Sequence, residues 1–122
     1  MSDLLPPNVQ LYPEAAKDLE RLDRSQQILA VRAIRKIAEA PDQRGKPLGH
    51  QYGWNLTGYR ATYVHNKRLR IVWTVAADGT VKIAVVAAVA EPDDFFVYEL
   101  AASRRKDIDA WIREVIYRAG SA

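Results

Sequence analysis

Arg68 and Arg70 stand two positions apart in one β-rich run, and Tyr59 and Tyr63 stand four apart in the run before it. Side chains alternate faces along a strand, so each of these pairs shares one side of its strand. A two-residue reversal at Asn66-Lys67 brings Tyr59, Ala61 and Tyr63 onto the Arg70 side of a common sheet. A face that interleaves guanidinium with phenol rings suits RNA, because guanidinium grips phosphate with a fork of donors while rings stack on unpaired bases. The same residues also suit a plain solvated surface, with the arginines lying over apolar neighbours or paired with carboxylates.

Other chemistries find little support. Cysteine is absent, which removes disulfides, thiol nucleophiles and thiolate zinc sites. The two histidines, His50 and His65, are too few for a metal cluster of familiar spacing. No glycine-rich phosphate loop leads into a helix, so neither a metal nor a nucleotide cofactor is expected. Asp93-Asp94 precede an apolar helical run and read as helix caps rather than as a general acid and base. A chain of 122 residues with 48% hydrophobic and 27% charged side chains describes one globular domain, and its net charge of +3 permits contact with nucleic acid without requiring it. The longest apolar run, residues 83–90, is far short of the ~20 needed to span a bilayer, and the start of the chain lacks the basic stretch of a signal peptide. A cytoplasmic protein without membrane contact is expected.

The elements that must hold the arginine-tyrosine face follow from periodicity. Residues 1–7 end in Pro6-Pro7 and read as a tail, and 9–12 alternate as a strand. Pro13 opens a short helix with Ala15, Ala16, Leu19 and Leu22 inward and Glu14, Lys17, Asp18 and Arg21 toward water. Asp23 and Gln26 form a capping pattern for a second helix that Pro41 ends, giving a tight helical hairpin. After a loop over 41–53, three strands are expected near 54–65, 69–75 and 81–89, as a meander with its sharpest turn at Asp78-Gly79. That turn sets Arg70 opposite Ala87, Val72 opposite Val85 and Thr74 opposite Ile83. Leu69, Ile71, Trp73 and Val75 then lie with Ala84, Val86 and Ala88 on the face that seats the hairpin. A helix through Tyr98 and Ala101 follows, then a separate last helix with Ile108, Trp111, Ile112, Val115 and Ile116 that covers the core. The fold class is α+β, in the order β-αα-βββ-α with a C-terminal helical addition. Its parts are a tail over 1–7, a domain over 8–104 and the addition over 105–122.

The strings Gly45-Lys46-Pro47-Leu48, Leu56-Thr57-Gly58-Tyr59-Arg60, Arg68-Leu69-Arg70-Ile71-Val72-Trp73 and Tyr98-Glu99-Leu100-Ala101 occur in this order across residues 9–104. The series resembles the RelE/ParE superfamily of toxins from bacterial type II toxin–antitoxin systems. The resemblance implies a small β-αα-βββ fold and a cognate antitoxin that wraps the toxin. On the RelE side it implies cleavage of messenger RNA in the ribosomal decoding site; on the ParE side, inhibition of DNA gyrase instead. For a RelE-like nuclease it implies Arg70 as a phosphate clamp, Tyr98 for stacking or proton transfer, and Lys46 and Arg60 as contacts to RNA. Tyr59 and Tyr63 join the RNA-binding set from the sheet face, and Arg68 joins Arg70 and Tyr98 as a catalytic candidate. The chain departs from that pattern at Pro92, where the nucleases carry an arginine six residues before the tyrosine, and on 59–63, which lacks their strand lysines. Proline has neither charge nor N–H with which to bind phosphate or protonate a leaving group. The resemblance therefore leaves open a RelE-like endonuclease that relies on Arg60, Arg68 and Arg70, a gyrase inhibitor, or a weak or inactive homologue that mainly binds its antitoxin.

Overall fold

A computed structural model describes residues 4–51, 53–64, 69–91 and 96–117. Strand β1 (Val9–Leu11) leads through Tyr12 into α1 (Pro13–Arg21), whose first turn contains the expected proline. Asp23 caps α2 (Arg24–Glu39): its carboxylate accepts the Gln26 N–H at 2.8 Å and the Ser25 hydroxyl at 2.7 Å. Those bonds, the backbone one foremost, hold the Asp23 carboxyl below the ordinary aspartate range.

The loop after α2 is more ordered than its composition suggests. It contains β2 (Lys46–Pro47) and β3 (His50–Gln51), and β3 pairs with β4 (Trp54–Asn55) as a small separate ribbon. The first strand of the expected meander is thereby cut to β5 (Tyr59–Val64), followed by β6 (Leu69–Asp78) and β7 (Val81–Ala90). The main sheet has the order β1-β7-β6-β5-β2, with β1 parallel to β7 and the remaining pairs antiparallel.

The β5–β6 register is the one a reversal at Asn66-Lys67 dictates: Tyr59 faces Thr74, Ala61 faces Val72 and Tyr63 faces Arg70. The turn itself, with His65 and Arg68, lies outside the described residues. The β6–β7 register differs from expectation. Asp78 pairs with Val81, so Gly79 and Thr80 make the turn, with Gly79 at φ 63°. A glycine at the first central position supplies the positive φ that a two-residue hairpin turn requires there, so the reversal falls one residue later than the Asp-Gly pair. The slip of two residues keeps the faces, so Thr74 lies opposite Val85. A bulge between Val72 and Trp73 then leaves Ala87 without an opposite number, and Arg70 comes to face Ala90 rather than Ala87. Ala88 is thereby moved to the Arg70 side, and Val89 takes its place beneath the hairpin.

Two cores result. Leu19, Ile34 and Ile37 of the hairpin pack on Leu69, Ile71, Trp73, Val86 and Val89. Each such fully buried aliphatic side chain stabilises the fold by about 1.5–3 kcal/mol. On the opposite face α3 (Phe96–Ile112) continues into a π-helical turn (Arg113–Tyr117) and buries Val97, Tyr98, Ala101, Ile108, Ile112 and Ile116. The two expected C-terminal helices are thus one, and α3 runs unbroken through residues 104 and 105. Asp93-Asp94 lie outside the described residues.

Asp18 is the other correction. Far from facing water, it is buried, and its carboxylate accepts from both Arg104 Nη1 at 2.7 Å and Nη2 at 3.0 Å, and from the Val89 N–H at 3.1 Å. Arg104 Nη1 also donates to the Ala87 carbonyl at 3.0 Å. β1 pairs only with Ala84 to Val86, so beyond them the β7 edge is satisfied by this ion pair instead of by a strand.

Candidate functional site

Arg70, half-buried on β6, faces Tyr63 of β5 and Ala90 of β7, and the small alanine leaves room above the sheet for α3. The Arg70 guanidinium carbon lies 4.9 Å from the Tyr63 ring centroid and 5.9 Å from that of Tyr98. Both distances are within the range of cation–π attraction, which orients the guanidinium between the two rings. Beside them a cleft of about 230 Å³ is lined by Gly45, Lys46, Leu48, Ala61, Thr62, Tyr63 and Tyr98. Lys46 is exposed at its rim, where β2 pairs with Ala61. The sequence-derived residues Arg70, Tyr98, Tyr63 and Lys46 are therefore together. They present fixed positive charge, one largely buried phenol and one phenol ring that is 48% exposed.

Two expected members, Arg60 and Tyr59, stand apart. Arg68 lies outside the described residues, as does Pro92. Arg60 pairs with Trp73 and so faces away from Arg70; its Nε donates to the Arg44 carbonyl at 2.7 Å and its Nη2 to that of Gly45 at 3.5 Å. Arg60 holds the loop that forms the cleft rim rather than entering the cleft. Tyr59 shares the Arg70 face but is only 2% exposed, with Arg105 stacked 5.2 Å from its ring. Its ring is not offered to a base. Burial, reinforced by the charge of Asp109 and opposed by that of Arg105, pushes the Tyr59 hydroxyl up to about 12.

The rim depends on a residue that spacing does not single out. Gly45 has φ +68°, and a Cβ placed on it would sit 2.4 Å from Trp73 Cη2 and 2.6 Å from the Ala61 carbonyl oxygen. Only glycine permits this approach of loop to sheet. Trp73, fully buried, fastens the same loop by donating its Nε1–H to the Pro41 carbonyl at 3.0 Å. The far side of the site is held by Arg105 of α3, which donates to the carbonyls of Asn55 at 2.8 Å and Thr57 at 2.7 Å. Among the described residues no group of three His, Cys, Asp or Glu is arranged to hold a metal ion, and no helix is long and apolar enough to cross a membrane.

No protein-family model matches the chain, and no curated protein matches it. Solved structures do. A mutant of the E. coli toxin RelE in the free state superposes with a TM-score of 0.60 at 18% identity, over 79% of this chain and 94% of that one. The toxin–antitoxin complex RelBE2 from Mycobacterium tuberculosis gives 0.55 at 22% identity, over 74% and 95%. The same E. coli RelE mutant bound to a peptide of the antitoxin RelB gives 0.54 at 15% identity, over 76% and 90%. The chain has a RelE-like toxin fold.

Proposed function

We propose that a protein with this RelE-like fold is the toxin of a toxin–antitoxin pair, acting as a ribosome-dependent endonuclease on messenger RNA. The observation that carries the reading is the Arg70 guanidinium held between Tyr63 and Tyr98, two residues that line the Lys46 cleft. RNA cleavage of this kind forms a bond from the ribose 2′-oxygen to phosphorus and breaks the bond to the 5′-oxygen; a proton leaves the first oxygen and one reaches the second. The phosphorane between these states gathers negative charge, so preorganised cations stabilise it more than the ground state. Arg70, oriented by two rings and half-shielded from solvent, suits that task, with Lys46 as a second and more mobile charge. The exposed Tyr63 ring suits stacking on the base next to the scissile phosphate, and the Tyr98 hydroxyl suits proton transfer. The partners of this reading are the ribosome, messenger RNA and a cognate antitoxin; it needs no metal.

Inducible expression tests it. Growth arrest with transcripts cut only when ribosomes are present is expected, and Arg70→Ala or Tyr98→Ala should restore growth. Arrest with intact transcripts would refute the nuclease reading. A second reading, inhibition of DNA gyrase, is favoured by the cleft face of β5, which carries Tyr59, Ala61 and Tyr63 but no cation. Relief of arrest by extra gyrase, with a DNA-damage response, would support it. Pro92→Arg separates a weakened nuclease from a protein that only binds its antitoxin, because RNA cleavage should rise sharply in the first case alone.

A further inference from the structure

A second concentration of basic charge lies away from the strands carrying the site. Helix α2 has four cations, Arg24, Arg32, Arg35 and Lys36, all exposed, against one acid, Glu39; its net +3 equals that of the whole chain. Two of the four, Arg32 and Lys36, are one helical turn apart and therefore project side by side. They border a groove of about 490 Å³ between α2 and β5, and Arg44 stands across it. Arg44 also pairs with Glu39 at 3.0 Å, so part of its charge is already answered. The floor is apolar, with Leu29, Ala33, Ile37 and Val64, and no carboxylate among the described residues lines the groove.

The groove adjoins the Lys46 cleft beside Arg70. Gly45, Thr62 and Tyr63 line both, and the half-exposed Tyr63 ring stands at the junction. A chain of phosphates held at Arg70 must leave the cleft, and one exit passes over Tyr63 between Arg44 and the Arg32–Lys36 pair. We propose that the α2–β5 groove is a second polyanion-binding site that takes the backbone of single-stranded RNA flanking the phosphate at Arg70. Arg32 and Lys36 would neutralise successive phosphates while ribose and base edges lie over the apolar floor. The assignment rests on the nuclease reading for its ligand, but its electrostatics are measurable without catalysis. An acidic protein segment would meet the same cations. RNA is favoured because the groove opens directly onto the site that would hold a phosphate.

The test uses the full-length protein and fluorescently labelled oligouridylates of twelve and three nucleotides, with affinity followed by anisotropy over a salt series. For single strands the slope of log affinity against log salt falls by about 0.7 for each phosphate that is no longer neutralised. Arg32→Gln with Lys36→Gln should therefore flatten the slope for the twelve-mer by about 1.4 and leave the three-mer unchanged. Lys82→Gln with Lys106→Gln, which removes two exposed cations from other surfaces, should leave both slopes unchanged. Circular dichroism confirms that each variant is folded. An unaltered twelve-mer slope in the Arg32/Lys36 variant overturns the proposal, as does an equal flattening in the Lys82/Lys106 control. Loss of binding to a twelve-residue polyglutamate with the RNA slope intact also overturns it, and assigns the groove to an acidic protein segment. Failure of Arg70→Ala to weaken either oligonucleotide would instead refute the phosphate clamp while leaving the groove result standing.

Discussion

Breaking the Asp18–Arg104 pair should be among the most damaging single changes in the chain. The carboxylate accepts three hydrogen bonds, two from Arg104 and one from the Val89 N–H, and Arg104 also satisfies the Ala87 carbonyl. The side chains are 4% and 11% exposed, so water replaces little of what a substitution removes. Arg104→Met leaves a buried carboxylate with only the exposed Arg21, 4.0 Å away, as a cation and an edge carbonyl without its donor, at a cost of about 3 kcal/mol or more. Asp18→Asn retains an acceptor for Val89 but no charge, and should cost about 2–3 kcal/mol. Against the 5–15 kcal/mol typical of a domain, either change is large. Asp18→Leu with Arg104→Met should cost less than its two single changes together, with a coupling of at least about 1 kcal/mol. It should not return to wild-type stability, because the Ala87 carbonyl and the Val89 N–H at the bulge lose their partners in the double variant too. Urea unfolding followed by tryptophan fluorescence measures all of these proteins. Strictly additive costs, or an Asp18→Asn loss below about 1 kcal/mol, would refute the claim that this pair closes the sheet edge.

Tyr59→Phe should be neutral or stabilising by up to about 1 kcal/mol in thermal unfolding, since the hydroxyl it removes is buried without a hydrogen-bond partner among the described residues. The folded chain holds the Tyr59 proton up to about 12 whereas the unfolded chain releases it near 10, so stability is level below pH ~10 and falls between the two values. The fall should be about 1–2 kcal/mol after allowance for solvent near the ring, and the difference between wild type and Tyr59→Phe isolates it from other titrating groups. Gly45→Ala should destabilise by at least about 2 kcal/mol through its left-handed backbone and its clash with Trp73, and should detach the cleft rim; a crystal structure with the loop unmoved would contradict this. Trp73→Phe removes the donor to the Pro41 carbonyl and should cost about 1–3 kcal/mol by urea unfolding.

The β5–β6 pairing is legible in the sequence because a two-residue reversal and the period-two alternation leave one solution; Tyr63 beside Arg70 follows from counting. The bulge at Ala87 is not. The run Val85-Val86-Ala87-Ala88-Val89-Ala90 is apolar on both faces, so no polar residue marks where alternation breaks. Asp18 escapes sequence reasoning for a related reason: helical spacing puts an acid on the solvent side unless a partner is known, and Arg104 is 86 positions away in sequence. The polar stretch Ser103-Arg104-Arg105-Lys106-Asp107 reads as a break between helices, yet Arg104 and Arg105 are the residues that fasten α3 to the rest of the molecule. Arg60 lies one residue out of phase with Tyr59 and Ala61, so alternation alone assigns it to the opposite face, whereas the family string groups it with the cleft.

The placement of charge separates two electrostatic tasks. Arg70 is half-buried between rings, where a cation acts through a lower effective dielectric and at short range, so its influence on a phosphate beside it should resist salt. The cations of α2 are exposed and act through water, so their attraction is additive and fades over a Debye length of about 8–10 Å. A protein that used the strand arginines for both tasks would lose capture and chemistry together as salt rises. With the exposed cations of α2 available for capture, raising salt should weaken association steeply while the rate of any step at Arg70, once substrate is bound, changes little. Single-turnover cleavage on preloaded ribosomes, measured beside binding across the same salt series, distinguishes the two arrangements. Parallel decline of both would mean that capture and chemistry draw on the same cations.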